Sequence, residues 1–234
     1  MTTGTDAARD RVAAAAVALV EDGMVVGLGT GDTARRFVEA LGRRVRDERL
    51  QLRCVATSNA TAALARAAGL DVRALPEVGV VDVAFDGADE VDPRLDLIKG
   101  GGGAQTREKI VAASATRFVV LVDESKLVDR LGAFPVAVEV VPEALALVTA
   151  RLVSLGAATR LRYAAGAPAE PWITDLGHRL IDAQFPPIGD AASLAAALDA
   201  IPGVVEHGLF VDMATLVLVG EFRSPAVRSL TRTL

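Results

Sequence analysis

The sequence predicts an α/β protein, a Rossmann-like parallel sheet domain that carries an inserted, smaller α+β domain of ferredoxin-like βαββαβ pattern. Three observations carry this expectation. Hydrophobic residues make up 51% of the 234 residues and aromatics only 4%, so Val, Leu, Ile and Ala must fill a substantial core. Val-rich runs alternate with Ala-rich segments, as buried strands do when helices separate them. The order of elements then changes after residue 131, from regular strand-helix alternation to a βαββαβ series.

In chain order, Asp6 to Glu21 reads as an Ala-rich helix stopped by Gly23, and Met24 to Leu28 as a short buried strand. Asp32 to Arg46 is a helix, Leu52 to Ala56 a strand and Asn59 to Ala68 a helix. Val80 to Phe85 is a third apolar strand, Ala104 to Ala115 a helix and Phe118 to Val122 a fourth strand. This alternation implies a parallel sheet with helices on both faces. The insert follows: Val136 to Val141, a helix Glu143 to Leu155, strands Ala158 to Tyr163 and Trp172 to Phe185 (interrupted at Leu176-Gly177), a helix Ala191 to Ile201 and a strand Val204 to His207. The segment 165–170 between its second and third strands reads as a loop. Ala214 to Val219 is expected to return to the first sheet. The predicted domains are residues 1–131 plus 207–234, and 132–206.

Charge and composition exclude several classes. The net charge is −5 with both signs mixed along the chain, and no basic stripe marks a nucleic-acid binder. An anionic ligand therefore needs a local positive site, because the overall field does not attract it. Cys54 is the single cysteine, so no disulfide forms within the chain; the residue reads as a small buried hydrophobe in a reducing, cytoplasmic setting. The N-terminus resembles no signal peptide, and no apolar run approaches the ~18 residues of a membrane span. Of the 25 basic residues only Lys99, Lys109 and Lys126 are lysines. A compact ammonium with a tunable pKa is something arginine does not supply, which directs attention to residues 86–126.

Three segments are candidates for chemistry. Gly27-Leu-Gly-Thr-Gly-Asp-Thr-Ala34 follows the first strand and opens a helix. Its glycines permit close backbone approach, helix N-terminal N–H groups bind anions, and Thr30 and Thr33 add hydroxyl donors. The spacing lacks the third glycine of a dinucleotide fingerprint, and no Lys follows as in a nucleotide P-loop. A plain strand-to-helix turn is the alternative. Thr57-Ser58-Asn59, which ends the next strand, either caps a helix or joins this loop at the sheet's carboxyl edge. Asp86-Gly-Ala-Asp89-Glu90-Val-Asp92 places four carboxylates directly after a buried strand, where α/β enzymes hold their chemistry; a solvated acidic turn is the alternative. Lys99-Gly-Gly-Gly-Gly103 leads into a helix that carries Glu108. Four glycines carry a heavy entropic cost, and such a loop can aim N–H groups at a developing oxyanion.

Taken together these segments resemble the type A ribose-5-phosphate isomerases. The matching stretches are Gly27-Leu-Gly-Thr-Gly, Thr57-Ser58, Asp86-Gly-Ala-Asp-Glu-Val-Asp92, Lys99-Gly-Gly-Gly-Gly-Ala and Thr106-Arg-Glu-Lys-Ile110, followed by Val122-Asp-Glu-Ser-Lys126, Thr174-Asp175 and Ile201 to Phe210. The resemblance implies an aldose-ketose isomerase that converts ribose 5-phosphate to ribulose 5-phosphate without a cofactor; two isolated histidines and one cysteine give no soft-ligand cluster for a metal, a carboxylate-held magnesium being the alternative. The resemblance also implies a small-molecule sugar phosphate as partner, and a homodimer. By similarity Glu108 is the catalytic base, Asp86 the ring-opening carboxylate and Asp89 its neighbour. Lys99, Gly101 and Gly102 stabilise the enediolate oxygen, and Thr30, Gly31, Asp32, Thr33 and Lys126 lie at ligand-contact positions. The family usually has Ser at the position of Asp32 and Asn at that of Leu176, and often Lys where Arg9 stands. Asp32 is expected to turn away as a helix N-cap, leaving Thr33, backbone N–H groups, Arg9 and Lys126 to hold the phosphate. His178 and His207 are read as structural. A sugar-responsive repressor is the rival from another class; the roughly two dozen residues before the first strand are too few for a helix-turn-helix module.

Overall fold

The structure, a computed structural model, describes residues 4–164 and 166–232. It divides into two compact units. The first comprises the chain up to Ala88, Arg107–Leu127, and the chain from Met213 on; the second comprises Asp89–Thr106 and Val128–Asp212.

The first unit is a six-stranded sheet. Its spatial order is Val227–Leu230, Leu216–Gly220, Ala115–Asp123, Val81–Asp86, Val25–Leu28, Arg53–Ala56. All neighbours run parallel except the Val227–Leu230 edge, which is antiparallel. The strands are near-continuous Val and Leu runs because a parallel sheet is covered on both faces. Val26, Leu28, Phe85, Val119 and Leu121 are wholly buried, and the rings of Phe37 and Phe85 meet at 4.4 Å. Phe37 belongs to the amphipathic helix Asp32–Glu48, which buries Ala34, Phe37, Val38 and Leu41 on one stripe. Strand order reverses between Val25–Leu28 and Val81–Asp86, since the chain leaves the first of these for the edge strand Arg53–Ala56 and returns on its other side. That reversal is a topological switch point, the crevice where open α/β sheets hold ligands.

The second unit contains a four-stranded antiparallel sheet in the order Val204–His207, Val136–Val140, Arg179–Gln184, Ala158–Leu161. With the helices Leu145–Ser154 and Ala191–Asp199 this is the expected βαββαβ arrangement. Val138, Val140, Val148, Leu152, Ile181 and Leu198 form its core.

Several expectations shift. The units divide elsewhere than at residues 132 and 206, because two-residue strands too short for any periodicity pair with one another. Leu209–Phe210 pairs with Leu97–Ile98, and Leu97–Ile98 with Glu90–Val91. Residues 89–106 and 207–212 are thereby drawn into the second unit. The first helix ends at Val17 rather than Glu21. The expected strand Trp172 to Phe185 is regular only over Arg179–Gln184. The segment read as a loop contains part of a small hairpin, Tyr163–Ala164 with Ala167–Pro171; Ala165 lies outside the described residues. The edge strand Val227–Leu230 carries no apolar alternation that would have announced it.

Candidate active site

In the first unit the switch point is built around Asp86, the last residue of its strand and buried. Its Oδ1 accepts the backbone N–H groups of Thr30 at 3.0 Å and Gly87 at 2.7 Å. A Cβ on Gly29 would stand 2.3 Å from this carboxylate, so only glycine lets the loop come so close. Around Thr30 lies a cluster of hydroxyls. Its Oγ1 is 2.8 Å from Thr57 Oγ1, 2.9 Å from Ser58 Oγ and 3.1 Å from Thr61 Oγ1. Ser58 also caps the helix Asn59–Ala67 by accepting Thr61 N–H at 3.0 Å, so both sequence readings of Thr57-Ser58 hold together.

Glu108 is buried in the first turn of the helix Gln105–Ala113. A Cβ on Gly27 would meet Val111 Cγ1 at 2.8 Å, so this helix packs tightly on the first strand. Glu108 lies three residues before Val111 and therefore on the same face, one turn nearer the helix start. Arg107 fixes that start, donating to Asn59 Oδ1 at 2.9 Å and to the carbonyl of Ala56 at 3.3 Å.

Asp32 corrects the sequence expectation. The helix N-cap is Gly31, with φ 117°, and no side chain caps it; Asp32 is the first helical residue. Its half-exposed carboxylate is gripped by three guanidinium groups, Arg9 at 3.1 Å, Arg35 at 2.7 Å and Arg36 at 3.2 Å. Hydrogen bonding from Arg35 foremost, aided by Arg36 and Arg9 against a desolvation effect, pulls its pKa down to about 2. Arg9 continues to the buried Asp123 at 3.0 Å. Asp123 in turn accepts Ser125 N–H and so caps the short turn Glu124–Lys126 that presents Lys126. Thr33 is buried in the first turn of the Asp32–Glu48 helix.

The second unit holds Asp89, Lys99, Gly101 and Gly102. Asp89 Oδ2 accepts the N–H of Gly101 at 2.8 Å, and a Cβ on Gly101 would crowd that carboxylate at 2.7 Å. Gly101's N–H is thus bonded to Asp89 and is not open as an oxyanion donor, contrary to expectation. Gly100 (φ 107°) and Gly103 (φ 73°) take left-handed conformations that favour glycine. Lys99 is buried, its ammonium 5.4 Å from the centre of the Phe210 ring. Glu90 and Asp92 do other work: Glu90 accepts the N–H groups of Gly132 and Phe134, and Asp92 those of Arg94 and Asp96. The acidic run is therefore partly architecture.

Sequence reasoning missed Arg162, Asp182 and Glu139. Arg162 donates to the carbonyl of Gly100 at 2.8 Å while paired with the buried Asp182. Buried Glu139 accepts from Thr106, from Thr174 at 2.7 Å and from His178 Nδ1 at 2.9 Å, which gives His178 a structural partner. Cys54 is buried and its thiol is pushed up to about 12 by desolvation. Among the described residues one group has metal-ligand spacing, Asp199, Glu206 and His207. His207 Nδ1 accepts Leu209 N–H at 3.2 Å, so Nε2 carries the proton and points it at Asp199, 3.1 Å away. That tautomer offers a cation no imidazole lone pair.

Buried carboxylates and clustered hydroxyls at the switch point of a parallel sheet define an α/β protein built to hold a small polar ligand there. The chain belongs to the ribose 5-phosphate isomerase A family. The model of that family, described as ribose 5-phosphate isomerase A (phosphoriboisomerase A), matches residues 53–223. Ribose-5-phosphate isomerase A of Methanothermobacter thermautotrophicus is 52% identical over 205 residues, covering 88% of this chain and 90% of that one. That of Rhodopseudomonas palustris strain HaA2 is 50% identical over 216 residues, covering 90% and 92%. Among solved structures, ribose 5-phosphate isomerase A from Methanocaldococcus jannaschii has a TM-score of 0.91 at 46% identity, covering 96% of this chain and 98% of that one. A D-ribose-5-phosphate isomerase in complex with phospho-erythronic acid has a TM-score of 0.94 at 40% identity, covering 99% and 100%.

Proposed function

We propose that this chain interconverts D-ribose 5-phosphate and D-ribulose 5-phosphate through an enediolate, in the non-oxidative branch of the pentose phosphate pathway. The observation that carries the reading is a pair of buried carboxylates in the first unit, Asp86 at the switch point and Glu108 in a helix's first turn, in a chain of this isomerase family. The relative that holds phospho-erythronic acid adds support. That ligand is a sugar-acid phosphate whose carboxylate resembles the two oxygens of an enediolate.

In this reading Asp86 moves the proton that opens the sugar ring. Glu108 then takes the proton from C2 of the open-chain aldose and returns it to C1, while the hydroxyl proton passes from O2 to O1. A carboxylate removed from water is a stronger base than one in water, which suits removal of a carbon-bound proton. Lys99 supplies positive charge to the enediolate oxygen. Asp89 holds the glycine loop through Gly101 rather than acting on the sugar. Arg9, Thr33 and Lys126 bind the phosphate, beside the N-terminus of the Asp32–Glu48 helix. The same reading places a homodimer in the cytoplasm, and light scattering after gel filtration measures that assembly.

Turnover of ribose 5-phosphate by the wild type and by Glu108→Gln tests the proposal. The wild type should turn over, and the variant should lose about 10²- to 10⁴-fold in kcat with its fold intact. A folded wild type without turnover would overturn the assignment.

A further inference from the structure

The segment from His207 to Phe210 grips Lys99 by its backbone and by its ammonium. Phe210 pairs with Leu97, and Leu209 with Ile98, in antiparallel register. The Lys99 N–H then donates to the carbonyl of Gly208 at 2.8 Å, which carries the pairing one residue further. A Cβ on Gly208 would stand 2.1 Å from the Lys99 carbonyl oxygen, so the two backbones close here as only glycine allows. Gly208 is itself tied down, its N–H donating to the carbonyl of Ala137 at 2.8 Å. Side chains alternate along a strand. Leu97 and Lys99 therefore leave on one face, and Phe210, opposite Leu97, leaves on that face as the diagonal neighbour of Lys99. Accordingly the ammonium lies over the Phe210 ring, 5.4 Å from its centre, with both residues buried.

We infer that Phe210 is a positioning residue of the isomerase, its ring face holding the Lys99 ammonium in place for the enediolate. This inference rests on the proposed function and deepens it. Burial disfavours a charged ammonium, and a neutral amine gives an enediolate no positive charge. An aromatic face within about 6 Å attracts a cation, more strongly away from water. It does so without bringing a negative charge of its own. A carboxylate at the same place would also hold the ammonium, but would offset its field at a developing oxyanion. The ring acts on the sugar only through Lys99. Its benefit falls in the transition state, where the charge on the oxygen develops.

The test is site-specific replacement of Phe210 by mono-, di- and trifluorinated phenylalanine in the intact protein, beside Phe210→Leu. Fluorine draws electron density from the ring face with little change of shape. The kcat for ribose 5-phosphate should fall stepwise along the fluorinated series while KM and Tm stay level. Phe210→Leu should lower kcat about 5- to 30-fold; if it misfolds, the fluorinated series decides. A packing role alone gives equal kcat throughout that series, and this result would overturn the inference. Lys99 is one of three lysines, so its ε-methylene resonance can be followed by NMR in lysine-labelled protein. It should lie upfield under the ring current and move back in Phe210→Leu. A resonance indifferent to the loss of the ring would also overturn the inference. Normal turnover with no response to fluorine sinks the inference alone. A wild type without turnover sinks the functional reading as well, and the resonance still decides whether ring and ammonium meet.

Discussion

A carboxylate stands at position 32, on the first turn of a helix whose N-terminus attracts anions, and in isolation it would repel a phosphate. The structure resolves this by surrounding it. Arg9, Arg35 and Arg36 neutralise Asp32, and Arg9 is held between Asp32 and Asp123. Asp32 thus fixes the Arg9 guanidinium, which no local sequence rule could show because Arg9 is 23 residues away. Under the proposed function, Asp32→Asn should raise the KM for ribose 5-phosphate about 3- to 10-fold with little change in kcat, the loss of one charge-assisted contact. A many-fold fall in KM, in this variant or in Asp32→Ser, would show instead that the carboxylate obstructs binding. The same cluster has a pH signature. The folded pKa of about 2 lies below the ordinary 3.8, so the ionised group favours the folded state above pH 3.8, and this contribution is lost as pH falls towards 2. Urea midpoints measured across that window should decline less steeply in Asp32→Asn than in the wild type. The group is too exposed for the difference to be large.

At the scale of elements, the glycine loop shows what patterns reveal and what they hide. Four consecutive glycines were visible as a candidate anion-binding turn, and the positive φ angles at Gly100 and Gly103 supply the reason for two of them. The clamp on that loop was not visible. Arg162 is one of 22 arginines, lies in the connection between two strands, and reaches back 62 residues to the carbonyl of Gly100. Only the sheet order, which sets Ala158–Leu161 beside Arg179–Gln184, brings it to Asp182. Arg162→Met should destabilise the protein by about 1 to 3 kcal/mol, because it leaves the buried Asp182 carboxylate with only the exposed Arg160 guanidinium, 3.6 Å away, and should lower turnover by freeing the loop. Arg162→Met combined with Asp182→Leu removes the stranded charge. It should recover most of the urea stability while turnover stays low. Full recovery of both would reduce Arg162 to a structural residue.

At the scale of the molecule, the parallel sheet, the carboxyl edge that holds the candidate loops and the βαββαβ unit were legible because each rests on runs of four or more residues with a clear period. The division between units was not, because it depends on two-residue strands and on single hydrogen bonds such as Lys99 N–H to the carbonyl of Gly208 at 2.8 Å. The donor set across the described residues also bears on metals. Thiol and imidazole ligands amount to the buried Cys54, whose thiol stays protonated, and two histidines, His178 donating from Nδ1 to Glu139 and His207 accepting Leu209 N–H at Nδ1. Asp199, Glu206 and His207 form the one cluster with ligand spacing, and its imidazole presents a proton. Exhaustive dialysis against EDTA should therefore leave both turnover and Tm unchanged, and Zn²⁺ in modest excess should raise neither. Loss of turnover on dialysis, restored by Mg²⁺, would instead reveal a carboxylate-held ion essential to the reaction. A rise in Tm with Zn²⁺, abolished by His207→Gln, would show that the imidazole gives up its bond to Leu209 to bind metal.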